Sequence, residues 1–334
     1  SVCMLIGCVG CSSTSSSDKK EGSKTTTKKR IIRIAHSQAE THPEHIGLLK
    51  FKKYVEEKLG DKYEVQIFPN ELLGSQTKAI ELTQTGAIDF VLAGTPNLEN
   101  FAKVYEIFSM PYLFTSEEAY HAAMNDSAYM KKIYESTDET GLRVVTWYNV
   151  GTRNFYAKKA INTPDDLKGL KIRVQQSPAS VNMANAFGAA ASPMSFGEVY
   201  TAIQQAENNE LALTSNKHGE VAKYFSYNKH QMVPDVLVAN LKFLDGLSAD
   251  ERKVFEDAAK LSTQVEEKEW NKQVKEAKEY AQKEMGVKFI NVDVQAFRNK
   301  VLGVQKQMLK DNTNIRDSYK HFQTFNKKYE KEAK

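Results

Sequence analysis

From Arg30 to Leu92 the chain reads strand, helix, strand, helix, strand, and that alternation is what most limits its fold. Arg30 to His36 has the period-two pattern of a strand. Thr41-His42-Pro43 then opens a segment whose Ile46, Leu49, Tyr54 and Val55 share one helical face, ending at Gly60. Tyr63 to Phe68 is a second strand, Gln76 to Thr85 a helix, and Gly86-Ala87-Ile88-Asp89 a turn into a third strand through Leu92. Strands joined by helices in this way favour parallel pairing and an α/β lobe.

Helices are expected around Glu117 to Glu139, then strands at Leu142 to Tyr148 and Arg153 to Lys158, with turn chemistry between them at Asn149 and Gly151. A crossing into a second lobe is placed there. That lobe repeats the pattern: a strand at Leu170 to Val174, helices at Ser180 to Phe187 and Phe196 to Gln205, and later a strand at Val236 to Ala239. A charged helical stretch from Ser248 to Glu284 carries Val254, Phe255, Ala258 and Leu261 at helical spacing and is long enough to span both lobes. A strand at Val287 to Ile290 and helices from Val294 to Tyr329 finish the chain. The reading assigns 30–150 plus 234–272 to one lobe and 151–233 plus 273–330 to the other.

With 334 residues, 41% hydrophobic, the chain can bury more than one core. Its 46 basic and 42 acidic residues are interspersed, which argues against a nucleic-acid surface. All three cysteines, Cys3, Cys8 and Cys11, lie at the start, so the body has no thiol for a disulfide, metal ligation or catalysis. Residues 1–11 read as the apolar remnant of a secretory signal. Leu5-Ile6-Gly7-Cys8 resembles a bacterial lipobox, with Val9-Gly10-Cys11 a looser second candidate, so Cys8 or Cys11 is the expected lipidation site. The polar run 12–29 then serves as a flexible linker between lipid and domain. No other stretch approaches the roughly 18 apolar residues of a membrane span.

From Asp166 the chain reads D-L-K-G-L-K-I-R-V-Q-Q-S, then A-F-G-A-A-A-S-P-M-S-F-G-E-V-Y up to Tyr200. This resembles the signature block of the DctP-type solute-binding proteins of TRAP (tripartite ATP-independent periplasmic) transporters. F-P-N-E-L-L-G from Phe68, S-M-P-Y-L-F from Ser109, Y-N-V-G-T-R-N-F from Tyr148, A-E-N-N from Ala206 and E-V-A-K-Y-F from Glu220 support it. The resemblance implies a two-lobed clamshell of the type II periplasmic-binding kind, closing around a carboxylate solute. The solute passes to the small and large membrane subunits of a permease. It also implies that Arg173, in K-I-R-V, holds the carboxylate, with Arg153 in G-T-R assisting, Asn208 and Gln176 supplying polar contacts, and Phe196 packing on the solute. A guanidinium suits the part because it is planar, permanently charged and bidentate toward a carboxylate. R-V-Q-Q-S with A-E-N-N looks most like members that bind uronates such as glucuronate and galacturonate. Other carboxylates (C4-dicarboxylates, keto acids, sialate) and a sensory lipoprotein are the alternatives.

His42 and Gln76 are added on the first lobe, because loops after its first strands face the cleft in such architectures. His42 and His45 form H-x-x-H, but no acidic or cysteine partner sits at metal spacing, so no metal is expected. No cofactor is expected either, and no G-x-S-x-G, P-loop, H-E-x-x-H or glycine-rich dinucleotide fingerprint points to an enzyme. One departure from the family pattern stands out. About five residues of the G-V-I-D-G type are lacking between Gln205 and Ala206, through deletion or through omission from this sequence, and the well-matched flanks favour omission. At about 3.3 Å per strand residue, the gap should displace Asn208 by more than 10 Å or unwind the helix before it.

Overall fold

A computed structural model describes residues 28–332 and shows two sheets, each backed by helices. The first contains β1 (Arg30–Ala35), β2 (Tyr63–Phe68), β3 (Phe90–Gly94), β4 (Leu142–Tyr148) and β10 (Asp235–Asn240), in the order β2-β1-β3-β10-β4. The second contains β5 (Arg153–Ala157), β6 (Lys171–Val174), β7 (Ala190–Pro193), β8 (Gln205–Asn208), β9 (Tyr224–Gln231) and β11 (Lys288–Asn291), in the order β11-β9-β5-β8-β6-β7. β1 pairs in parallel with β2 and β3, as strand-helix-strand units require, while β10 enters from the other lobe and runs antiparallel between β3 and β4. The result is a two-lobed α/β clamshell.

Helix ends follow from side chains near them. α1 (Pro43–Leu59) starts where the His42 ring accepts the Glu44 N–H and Pro43 needs no partner for the N–H it lacks. α2 (Gln76–Thr85) is capped by Ser75 and stops at Gly86, whose φ of 82° is left-handed. The next helices are α3 (Glu117–Met124), α4 (Ser127–Glu135), α5 (Pro178–Ala186), α6 (Val199–Ala202), α7 (Leu211–Thr214) and α8 (Leu241–Asp245). α9 (Ala249–Lys283) begins at a reciprocal cap between Ser248 and Glu251 and runs 35 residues. It spans both lobes: Phe255, Ala258 and Ala259 pack with Leu48 and Phe51 on the first, Trp270 with Val150 and Leu211 midway, and Ala281 with Phe225 and Val287 on the second. No helix among the described residues is long and apolar enough to cross a membrane.

The chain crosses between sheets from β4 to β5 and from β9 to β10. At the first crossing Gly151 has φ 65°, and a methyl group there would come within 2.8 Å of the Trp270 ring, so glycine is required on both counts.

Two expectations need correcting. The segment 196–205 is not one helix: a 3-10 turn (Phe196–Glu198) and the single turn α6 lead to Ile203, which is extended, and Gln205 already belongs to β8. The short connection is thus met by unwinding, and β8 keeps its place, with Asn208 opposite Asn154 on β5 and Ala206 opposite Arg173 on β6. The C-terminal segment also divides. α10 (Val294–Asp311) places Phe297 and Val301 in the core of the second lobe, but α11 (Arg316–Glu332) seats Phe322 with Phe108, Phe114 and Tyr120 of the first. The apolar stripe of that helix shows that it packs, not against which lobe. Cys8, Cys11 and the linker up to residue 27 lie outside the described residues.

Candidate functional site

Between the sheets lies a cleft with about 500 Å³ of free space, counting what opens to solvent at its mouth. Its walls come largely from the carboxyl ends of parallel strands, where an open α/β sheet leaves a crevice. Gln38 follows β1, Asn97 follows β3, Gln175 and Gln176 follow β6, Met194 to Phe196 follow β7, and Asn208 with Asn209 closes β8. Gln76 opens α2, Val150 and Arg153 belong to the first crossing, and Asp235 starts β10 after the second. The lobes are shut. Glu71, between β2 and α2, reaches across so that its carboxylate accepts the backbone N–H groups of Gly197 and Phe196, while burial still lifts its pKa.

Arg173 is only 6% exposed. Its Nε and Nη2 donate to the Met194 carbonyl at 3.2 and 3.0 Å, and its guanidinium carbon lies 5.8 Å from the centre of the Phe196 ring. No carboxylate among the described residues pairs with it, and burial, followed by the neighbouring Arg153 cation, pulls its pKa down to about 10. Arg153 is different. Its Nε and Nη2 donate to the two Glu207 carboxylate oxygens at 2.5 and 2.8 Å, and Nη2 also reaches the Glu207 carbonyl at 2.8 Å. Burial alone would raise the Glu207 pKa, but Arg153 holds it at about 2, and His230 Nε2 lies 3.1 Å from the same carboxylate. One cation at the cleft is therefore neutralised in place and the other is not.

The first-lobe wall is built around Gln76, which donates to Ser37 Oγ at 2.9 Å and accepts from the Gly94 N–H at 2.8 Å and from Asn97 at 2.7 Å. A methyl group on Gly94 would lie 3.0 Å from Gln175 Nε2, 3.2 Å from Asp235 Oδ1 and 3.6 Å from Gln76 Oε1. Polar atoms of both lobes thus converge on a glycine that leaves them room. The buried Oε1 atoms of Gln38 and Gln175 have no hydrogen-bond partner among the described residues, which is costly unless a donor from a solute arrives. Behind Asp235 stand two more buried carboxyls. Glu44 lies beside Asp235, Glu266 accepts the Asn149 N–H at 3.1 Å, and burial raises the pKa of all three.

Of the residues singled out from sequence, the fold brings Arg173, Arg153, Asn208, Gln176, Phe196 and Gln76 to one cleft. It does not bring His42 there. That side chain is the cap of α1, 1% exposed, with its ring 6.1 Å from that of Trp270 and its pKa pushed down to about 3 by burial. His45 Nδ1 instead meets His36 Nε2 at 2.9 Å, and no group of three metal-ligating side chains is gathered among the described residues. Trp147 and Tyr148 are core residues. Sequence reasoning missed Gln38, Asn97, Gln175, Asn209 and Asp235 on the walls, and Glu207 as the partner of Arg153. The available signal was position: four of the five wall residues stand at or just after the carboxyl end of a strand.

The family model for bacterial extracellular solute-binding proteins, family 7 (DctP), matches residues 34–312. An uncharacterized protein of Salmonella typhimurium, YiiZ, is 36% identical over 300 residues, covering 88% of this chain and 91% of the relative. A TRAP periplasmic solute-binding protein of Anaerococcus prevotii, solved with α/β-D-glucuronate bound, is 51% identical with a TM-score of 0.88, covering 90% of this chain and 99% of that one. Another, from a Sulfitobacter species with β-D-galacturonate bound, is 29% identical with a TM-score of 0.84, covering 88% and 100%. The two lobes, the strand-end cleft and the match across most of the length agree: this chain belongs to the DctP family, the extracytoplasmic solute receptors of TRAP transporters.

Proposed function

We propose that the protein captures a hexuronate, glucuronate or galacturonate, by clamping its carboxylate on Arg173, and releases it unchanged to the small and large membrane subunits of the permease. The observation that carries this reading is Arg173 itself, a buried cation without a carboxylate partner. Burying an unpaired charge is costly, and a carboxylate delivered by the solute removes that cost with two parallel hydrogen bonds. Seven amide side chains line the rest of the cleft and match the mixed donor and acceptor character of sugar hydroxyls. The solute contacts both lobes, and that contact favours the closed form. The bound uronates of the Anaerococcus and Sulfitobacter proteins support the choice of sugar acid.

A thermal-shift screen tests it. Glucuronate and galacturonate at about 100 times their Kd should stabilise the protein by about 2.7 kcal/mol, visible as a rise in melting temperature. Glucose and galactose should give none, and succinate at most a small one. A rise with succinate alone would replace the uronate by a C4-dicarboxylate.

The same reading includes a lipid anchor at Cys8 or Cys11, which the lipobox-like Leu5-Ile6-Gly7-Cys8 motivates. The double change Cys8→Ser, Cys11→Ser should move the protein from the membrane fraction to the soluble one. Retention of the double variant in the membrane would exclude this anchor.

A further inference from the structure

Arg173 and its surroundings account for one end of a solute; the first-lobe wall bears a group of opposite character. Asp235 is the acidic residue on the cleft lining, and it sits on the first sheet whereas Arg173 sits on the second. It is 9% exposed, and its Oδ1 is one of the atoms that converge on Gly94. Its carboxyl lies beside that of Glu44, which is buried in the first turn of α1 and which it makes harder to charge, with Glu266 acting on Glu44 in the same direction. Two buried carboxyls side by side do not both ionise readily, so the pair shares one proton and keeps one negative charge. The cation that acts on it, Arg153, is bound to Glu207. The buried acceptors Gln38 Oε1 and Gln175 Oε1 line the same cleft without partners.

This arrangement accepts hydrogen bonds and carries a negative charge that Arg153, bound to Glu207, offsets only in part. A sugar hydroxyl donates to it. A second carboxylate has no proton to give at neutral pH and would bring like charges together in a water-poor site, which costs several kcal/mol.

Resting on the uronate reading above, we propose that Asp235, held by Glu44, is the specificity-determining residue of the first-lobe wall: it selects a solute with hydroxyls at the end remote from its carboxylate and rejects one with a second carboxylate there. The protein would then take hexuronates and exclude aldarates, the dicarboxylic acids with the same carbon chain. The two acids share a carbon chain, but glucuronate closes into a ring and glucarate does not, so the deciding quantity is the change in their affinity ratio between the wild type and Asp235→Asn.

Calorimetric titration of the wild type with D-glucuronate and with D-glucarate, then of Asp235→Asn with both, provides the test. The wild type should prefer glucuronate by at least about 100-fold. Asp235→Asn, which keeps the shape and supplies an amide donor, should lose about tenfold or more toward glucuronate and gain toward glucarate, narrowing the ratio by a factor of ten or more. Glu44→Gln, which still donates to Asp235, should keep the wild-type preference. Should Asp235→Asn fail to fold, Asp235→Ser, which also removes the carboxylate, is titrated with both acids in its place. Equal wild-type affinity for the two acids, or an unchanged ratio in a folded Asp235→Asn protein, overturns the proposal while leaving the uronate reading intact. Absence of glucuronate binding by the wild type overturns both.

Discussion

Replacing Arg173 with alanine lowers the affinity for glucuronate by at least about 100-fold, the loss expected when a buried charge pair is truncated on one side. The free protein does not suffer in the same way. In the shut cleft the guanidinium is buried and has only the Met194 carbonyl as an acceptor among the described residues, so its removal relieves a desolvation cost and leaves the melting temperature unchanged or raised. Arg173→Lys recovers little of the affinity, because an ammonium cannot form the two parallel bonds of a guanidinium and would sit in a pocket shaped by the Phe196 ring. Calorimetry on the three proteins checks both halves. If the lysine variant binds nearly as well as wild type, the bidentate clamp is wrong.

Glu207→Ala acts on stability instead. Glu207 is 1% exposed and neutralises Arg153 through both carboxylate oxygens, with His230 alongside. Without it Arg153 is left buried and unpaired beside Arg173, a loss of about 3–5 kcal/mol. For a chain of this size that is a fall in melting temperature of roughly 4–8 °C. The variant should regain more stability from added glucuronate than the wild type does, since two unpaired cations then face the cleft. A melting temperature equal to that of wild type would show that Arg153 finds another partner.

Much of the architecture is legible in the chain because its helices announce their ends. Thr41-His42-Pro43 and Ser248 with Glu251 mark the starts of α1 and α9 by local capping chemistry, and both were placed to within a residue. β8 was not, and for a physical reason. Gln205-Ala206-Glu207-Asn208 has no apolar alternation, and it is a strand because β5 and β6 hydrogen-bond it on either side. That is a tertiary cause, invisible to a local pattern. The His42 expectation failed through the same Pro43 that marked the helix: a proline at the first helical position made His42 the cap and turned it toward Trp270.

The site divides along similar lines. Arg173, Arg153 and Asn208 came from the resemblance to DctP proteins, and the structure places all three in the cleft. What the sequence hides is pairing over distance. Arg153 and Glu207 are 54 residues apart, and nothing in either neighbourhood says that one neutralises the other. The resemblance points to Gln176, yet its neighbour Gln175 is the buried one, with an acceptor oxygen that no donor among the described residues reaches. Asp235 follows a proline at a crossing strand, and only its fit against Gly94 and Glu44 gives it meaning.

The most direct test is a crystal structure of the protein with D-glucuronate. The account predicts the carboxylate within hydrogen-bond distance of the Arg173 guanidinium, with sugar hydroxyls turned toward Gln38, Gln175 and Asp235. A sugar bound with its carboxylate away from Arg173, or with no contact to that guanidinium, would contradict it.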